Sequence, residues 1–396
     1  SVIQQRQRPR ESAPAGNVRK TTATNIRIVN HKTAVIFLFL VLQAILPAQA
    51  PARTFIAHRG VNLRSTVAGE NSIEAIRLAR RAGFGAIETD VRLSADDSLV
   101  VMHDATLNRT CLRADGSEIG VPADIESLTW EELRRDYLLR ADKAADRTPI
   151  PSLREYLDEC RRAGLLTFIE PKLYDPSGRF YDRIIALADE ILGRGNYVVT
   201  SNNRANQIIR RKLCRDDVRL MGILYQTTFD SIASLGNCIV AVSASRFGDS
   251  DYDEAVAACR RAGLPCESHA DRYEGRMSKI DRQLPAVDYV STDFLAPYPS
   301  AGTGRTVAVC HLADFSEDIA AGITMPHVDF GAVAVEIDFS GEAEITLGPQ
   351  TFRCASVADV PLRFAVMIAD EAPRVAVKPL SADSSVASLS FTLTEF

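Results

Sequence analysis

Between Thr54 and Asp293, short apolar or β-branched runs alternate with stretches whose apolar positions recur at helical spacing. The runs 54–58, 86–91, 167–171, 197–201, 219–224, 239–243, 264–268 and 288–292 read as strands. Ser72–Gly83 places Ile73, Ile76, Leu78 and Ala79 near one face and predicts an amphipathic helix. Ser152–Gly164 and Asp251–Gly263 repeat the form, and all three end in Arg-Arg-Ala-Gly. Those endings set cations at the helix C-terminus and glycine at the left-handed cap. Ser152 followed by Glu155 has the spacing of a capping box. Eight βα units over about 240 residues predict a closed, parallel (β/α)8 barrel of the TIM type. A doubly wound open sheet is the runner-up, but no glycine-rich phosphate loop follows the first strand. Leu99–His103 follows the turn Ala95–Ser98 and reads as the return arm of a hairpin above the second strand.

After Pro297 the pattern changes. Tyr298–Arg305 is a turn-rich linker, and the runs 306–311, 332–339, 343–347, 361–368, 373–378 and 386–394 alternate with period two. They predict a small all-β sandwich over 304–396, with Ser340-Gly341 as a hairpin turn. The barrel is assigned to 53–300. Residues 1–52 form a basic stretch followed by an apolar one. Thr33–Ala50 carries no charge, follows Arg27, His31 and Lys32, and ends in small residues. It reads as a signal peptide with a site such as Ala48-Gln49-Ala50, which implies export to a periplasm, a cell surface or the medium. The rival is an anchor through 33–50, marginal against the roughly 20 apolar residues a span needs.

Composition is that of a globular protein, 46% hydrophobic and 24% charged, and a net charge of −5 gives no case for nucleic acid. Charge is graded along the chain. Residues 1–32 hold seven Arg and Lys against Glu11 alone, whereas 304–396 carry a formal −8. That acidity disfavours anionic membranes. Contact with a glycan or envelope polymer, or shielding of a barrel flank, is open to this segment. The eight cysteines are compatible with disulfides after export. Cys310–Cys354 and Cys259–Cys266 are candidate pairs among the 105 arrangements, and buried free thiols are the alternative for Cys160 and Cys214. No CxxC pair suggests zinc.

The chemistry gathers where the strands stop. His58-Arg59-Gly60 follows the first strand, Glu88-Thr89-Asp90 lies in the second, His103-Asp104 ends the hairpin arm, and Glu170-Pro171-Lys172 ends the third strand. Strand side chains alternate, so Glu88 and Asp90 share a face, as do Glu170 and Lys172. In a barrel these ends form one mouth. Three converging carboxylates need a cation, and all-oxygen ligation suits one divalent ion, Ca²⁺ or Mg²⁺. Arg59 and Lys172 add positive charge for a phosphodiester, and His58 and His103 can take and give protons near neutral pH. Singly, each group has a bland reading as a solvated face, a turn cap or an ion pair; the set does not. His269, His311 and His327 lack such company and read as surface or packing residues.

FIAHRG, GENSIEAIRLARRAGFGAIETDVRLSADDSLVVMHDATLNRT, FIEPK and VDYVSTDFLAP resemble the glycerophosphodiester phosphodiesterase family from about Phe55 to Pro297. The resemblance implies metal ligands Glu88, Asp90 and Glu170, an acid–base pair His58 and His103, and phosphate contacts from Arg59 and Lys172. It implies that Glu70 and Asn71 brace the first-strand loop. It implies hydrolysis of glycerophosphodiesters to glycerol 3-phosphate and an alcohol through a cyclic phosphate. The chain departs from the family in having Gly69 where proline is usual, Pro171 inside Glu-Pro-Lys, a short loop Leu173–Gly178, and no aromatic residue within 267–270. The competing readings are a phospholipase D-like or phosphoinositide-cleaving enzyme on the same barrel, and a surface-binding protein with a vestigial barrel.

Overall fold

The computed structural model describes residues 53–244, 246–270, 287–298, 304–312, 317–356 and 361–396. The expected signal or anchor and basic stretch lie outside them. Eight parallel strands close a barrel: β1 (Thr54–Ala57), β2 (Ala86–Leu93), β6 (Leu166–Pro171), β7 (Tyr197–Ser201), β8 (Arg219–Ile223), β9 (Cys238–Ser243), β10 (Cys266–Ala270) and β11 (Tyr289–Thr292). Closure comes from β1, which pairs with β11 on one side and β2 on the other. β3 (Leu99–Val101) extends β2 as the antiparallel hairpin arm.

The helices between these strands form for local reasons. Helix Ile73–Arg81 starts where Ser72 accepts from the Ala75 amide, and it buries Ala75, Ile76, Leu78 and Ala79. Helix Leu153–Ala163 has both halves of its capping box, from Ser152 and Glu155. Inside the barrel, Ile56, Ala86, Phe168, Val198, Met221, Ile239 and Ala241 form an apolar plug beneath the mouth.

Between β3 and helix Leu153–Ala163 the chain makes a small subdomain of its own. β4 (Cys111–Arg113) pairs with β5 (Tyr137–Leu139), and Met102, Leu107, Ile125, Leu133 and Leu139 fill a separate core. Its packing explains Gly69. A Cβ there would lie 2.6 Å from the Leu139 Cβ, so neither proline nor any other side chain fits.

The C-terminal region is two antiparallel sheets, as the alternation predicted. One holds β12 (Leu295–Ala296), β18 (Leu362–Glu371), β15 (Val328–Ser340), β20 (Ser385–Glu395) and β13 (Arg305–Leu312) in that order. The other holds β14 (Ile323–Thr324), β19 (Arg374–Pro379), β16 (Glu342–Leu347) and β17 (Gln350–Ala355). Ser340-Gly341 is not a hairpin turn. It carries the chain from one sheet to the other, because β16 pairs with β17 and β19 and not with β15. The suggested disulfides are also absent: all eight cysteines are thiols, and Cys310 and Cys354 stand on different sheets. No helix of the described residues is long and apolar enough to cross a membrane.

Candidate active site

His58 follows β1 directly, and its backbone N–H donates to the Thr292 carbonyl of β11 at 3.1 Å. That bond sets the imidazole beside Asp293, whose Oδ1 lies 2.6 Å from His58 Nδ1. Burial pushes the Asp293 carboxyl up in pKa, but the charge and hydrogen bond of His58 bring it below the usual range. An ionised carboxylate only accepts, so Nδ1 carries the hydrogen and Nε2 is left toward the mouth. Nε2 is 3.9 Å from Glu88 Oε2.

His103 has the same arrangement. Its Nδ1 is 2.6 Å from Asp104 Oδ1. Arg109, from the inserted subdomain, donates to both Asp104 oxygens at 2.6 and 2.9 Å and to both Glu70 oxygens at 2.8 Å. Burial lowers the His103 pKa and favours its neutral form. The Met102 amide donates to the Asp90 carbonyl at 3.0 Å, which fixes His103 beside the acidic strand.

The three carboxylates converge. One oxygen from each of Glu88, Asp90 and Glu170 lies within 4.8 Å of the others. Lys172 Nζ is 2.9 Å from Asp90 Oδ1 and 2.8 Å from Glu170 Oε1. Arg59 Nε is 3.4 Å from Asp90 Oδ2, and the Arg59 amide donates to Glu88 Oε2 at 3.0 Å. Asn71 donates to Asp90 Oδ2 at 2.8 Å and accepts from Thr89 Oγ1 at 2.9 Å, while its backbone N–H donates to the Arg59 carbonyl at 2.8 Å and Arg59 donates to Glu70 Oε1 at 3.4 Å, so both residues contact the first-strand loop. Gly60 is required here: φ is +76° and a Cβ would meet the Ala75 Cβ at 2.6 Å.

Electrostatics divides the carboxylates. Burial, then Asp90 and Glu170, raises the pKa of Glu88 well above the usual range. Burial opposes ionisation of Asp90 too, but Lys172 and Arg59 hold it at about 2. Glu88 Oε1 is buried and receives no hydrogen bond. A buried acceptor without a donor, beside two further carboxylates, suits a hard divalent cation. Glu88, Asp90 and Glu170 would hold it.

All seven groups named from the sequence therefore meet at one mouth. Three others belong with them. Asp293 directly follows β11, Arg109 comes from the insertion, and His269 is a packing residue at the site itself. Its ring packs edge-to-face on His58 with centroids 5.1 Å apart. β10 spans Cys266–Ala270, two residues later than its pattern suggested, and this moves His269 into the strand. Pro265 has no N–H to donate, and pairing begins after it.

Residues 58–231 match the family model described as the glycerophosphoryl diester phosphodiesterase family. Glycerophosphodiester phosphodiesterase 1 of Bos taurus is 36% identical over 122 residues, 30% of this chain and 33% of the relative. The human glycerophosphoinositol inositolphosphodiesterase GDPD2 is 25% identical over 152 residues, 34% of this chain and 28% of the relative. The chain thus spans about a third of the length of these curated relatives. A solved structure from Silicibacter pomeroyi DSS-3, assigned to the glycerophosphoryl diester phosphodiesterases, shares the fold. Its TM-score is 0.51 at 20% identity, over 62% of this chain and 91% of that one. The matched segment contains all seven groups named from the sequence, and over it this chain is similar to the glycerophosphoryl diester phosphodiesterase family.

Proposed function

We propose that this protein is a metal-dependent phosphodiesterase that cleaves glycerophosphodiesters to glycerol 3-phosphate and an alcohol. The observation that carries the reading is the carboxylate trio within 4.8 Å, flanked by two imidazoles each held through Nδ1 by an aspartate at 2.6 Å. Arg59 and Lys172 bind the phosphate and balance its charge. One histidine takes the proton of the glycerol 2-hydroxyl through Nε2 as that oxygen attacks phosphorus. The other gives a proton to the departing alcohol oxygen. Water then opens the cyclic phosphate with the two roles exchanged. A bound Ca²⁺ or Mg²⁺ supplies Lewis-acid stabilisation of the phosphoryl oxygens. Asp293 and Asp104 keep the imidazoles in the tautomer this exchange needs.

The test is turnover of glycerophosphocholine with Ca²⁺, with Mg²⁺ and after chelation. Metal-dependent release of choline and glycerol 3-phosphate is expected. Full activity in chelator would overturn the metal assignment. Accumulation of a cyclic phosphate as end product would replace this reaction with that of the phospholipase D-like alternative. The uncharged run at 33–50 supports an exported location, which N-terminal sequencing of protein recovered outside the cytoplasm would test.

A further inference from the structure

Glu267 is fully buried, with 0% of its surface exposed, and neither of its carboxylate oxygens has a hydrogen-bond partner. Such a group inside a barrel needs an explanation. Its neighbour along the strand shows where it points. Ser268 Oγ pairs with Tyr252 Oη at 2.7 Å, on the helix Asp249–Ala262 outside the barrel. Alternation therefore turns Glu267 and His269 inward. In register, Glu267 sits between Ala241 of β9 and Tyr289 of β11, and His269 sits one layer nearer the mouth, between Ser243 and Ser291. His269 Nδ1 is 3.7 Å from Glu267 Oε1, just beyond hydrogen-bond reach. The His269 ring meets the His58 ring edge-to-face.

We propose that Glu267 and His269 form a hydroxyl-recognising subsite beside His58. Glu267 is the positioning residue: with ligand bound, it accepts from Nδ1–H and fixes the ring. His269 Nε2 then hydrogen-bonds a hydroxyl on the substrate arm that lies against His58. The ligand class is a polyol phosphate, with the phosphate at Arg59 and Lys172 and a free hydroxyl at His269. An apolar aromatic ring at position 269 would pack on His58 equally well but could not make this bond. The inference rests on the phosphodiesterase reading and deepens it by naming what selects the polyol arm of the substrate.

The experiment is calorimetric binding of sn-glycerol 3-phosphate and methyl phosphate to the full chain with saturating divalent cation. The wild type should prefer the polyol. H269F should lose about fivefold to tenfold of that preference, and H269Q, whose amide still hydrogen-bonds, should recover part of it. An unchanged preference in H269F overturns the subsite while leaving phosphate binding intact. A wild type that binds neither probe overturns the phosphodiesterase reading itself. Ring ¹⁵N shifts of His269 test the positioning role. Nδ1 should be the protonated nitrogen in the ligand-bound wild type and E267Q, and should lose that preference in E267L. Identical shifts in E267L would remove Glu267 from the role.

Discussion

His58 and Asp293 stand 235 positions apart in the chain and 2.6 Å apart in the fold. Barrel closure makes the pair: Ala57 at the end of β1 is in register with Thr292 at the end of β11, so the next residue of each strand meets the other at the mouth. The contact fixes the His58 tautomer, and D293N offers an amide that can donate to Nδ1 and reverse it. We expect D293N to lower kcat by about 10²–10⁴ with KM little changed. Near-normal kcat in a folded D293N protein would sever Asp293 from the chemistry.

Arg109 ties Asp104 to Glu70 and so holds the carboxylate behind His103. Burial raises the pKa of Asp104, but the hydrogen bonds from Arg109 and His103 more than offset that and leave it well below the usual range. A depressed carboxylate stabilises the fold at every pH above its unfolded pKa of about 3.9, and that contribution is lost as pH falls below it. The guanidinium is half-exposed, so solvent screens the pair. R109M should cost about 1 kcal/mol near neutral pH. In urea unfolding, the gap between wild type and R109M should shrink as pH falls from about 5 toward 2. A gap that stays constant or widens would mean that Arg109 acts by packing and not by charge.

The seven groups named from the sequence were legible because each lies in or just after an apolar run and brings chemistry that an ordinary strand does not need. Asp293 was not. An aspartate after a strand looks like a turn residue, and only the pairing of β1 with β11 gives it a histidine. Arg109 comes from a subdomain whose strands Cys111–Arg113 and Tyr137–Leu139 are three residues each, too short for alternation to register. His269 was hidden by a boundary two residues off, enough to move a side chain from loop to barrel wall. The barrel was legible as eight apolar runs alternating with helical stretches. In the sheets, β17 was missed because only Phe352 and Cys354 of Gln350–Ala355 are buried, between polar neighbours. The sheet change at Ser340-Gly341 is set by long-range pairing that a local turn signal does not report.

The carboxylate trio predicts a stability change that needs no substrate. Ca²⁺ or Mg²⁺ at about 100 times its Kd should stabilise the fold by about 2.7 kcal/mol, read as a rise in Tm. E170Q, at the more exposed edge of the trio, should lose most of that rise and still fold. Burial and the charges of Asp90 and Glu170 raise the pKa of Glu88, so a proton competes with the ion there. The ion-induced shift should fade as pH falls through that raised pKa, above the ordinary carboxylate range. An equal shift in E170Q would place the ion elsewhere.

The C-terminal sheets hold the segment that carries Asp293. Phe294, the next residue, stacks on Phe352 of β17 at 5.9 Å, and Phe352 meets Phe364 of β18 edge-to-face at 4.9 Å. The Phe294 carbonyl accepts from the Met367 amide at 2.7 Å, and Leu295–Ala296 is itself an edge strand of the five-stranded sheet. Phe352 is 1% exposed, so F352A leaves a cavity against Phe294 and should cost about 3–5 kcal/mol. F352L keeps much of the volume and should cost less than about 1.5 kcal/mol. If the sheets also position Asp293, F352L will lower kcat several-fold in a protein that remains folded at the assay temperature. A chain truncated near residue 297 will lose more, because Phe294 then has neither ring nor backbone partner from the sheets. Wild-type kcat in F352L, together with a stable and active truncated barrel, would show that the sheets are an appendage and that the β11 loop holds Asp293 unaided.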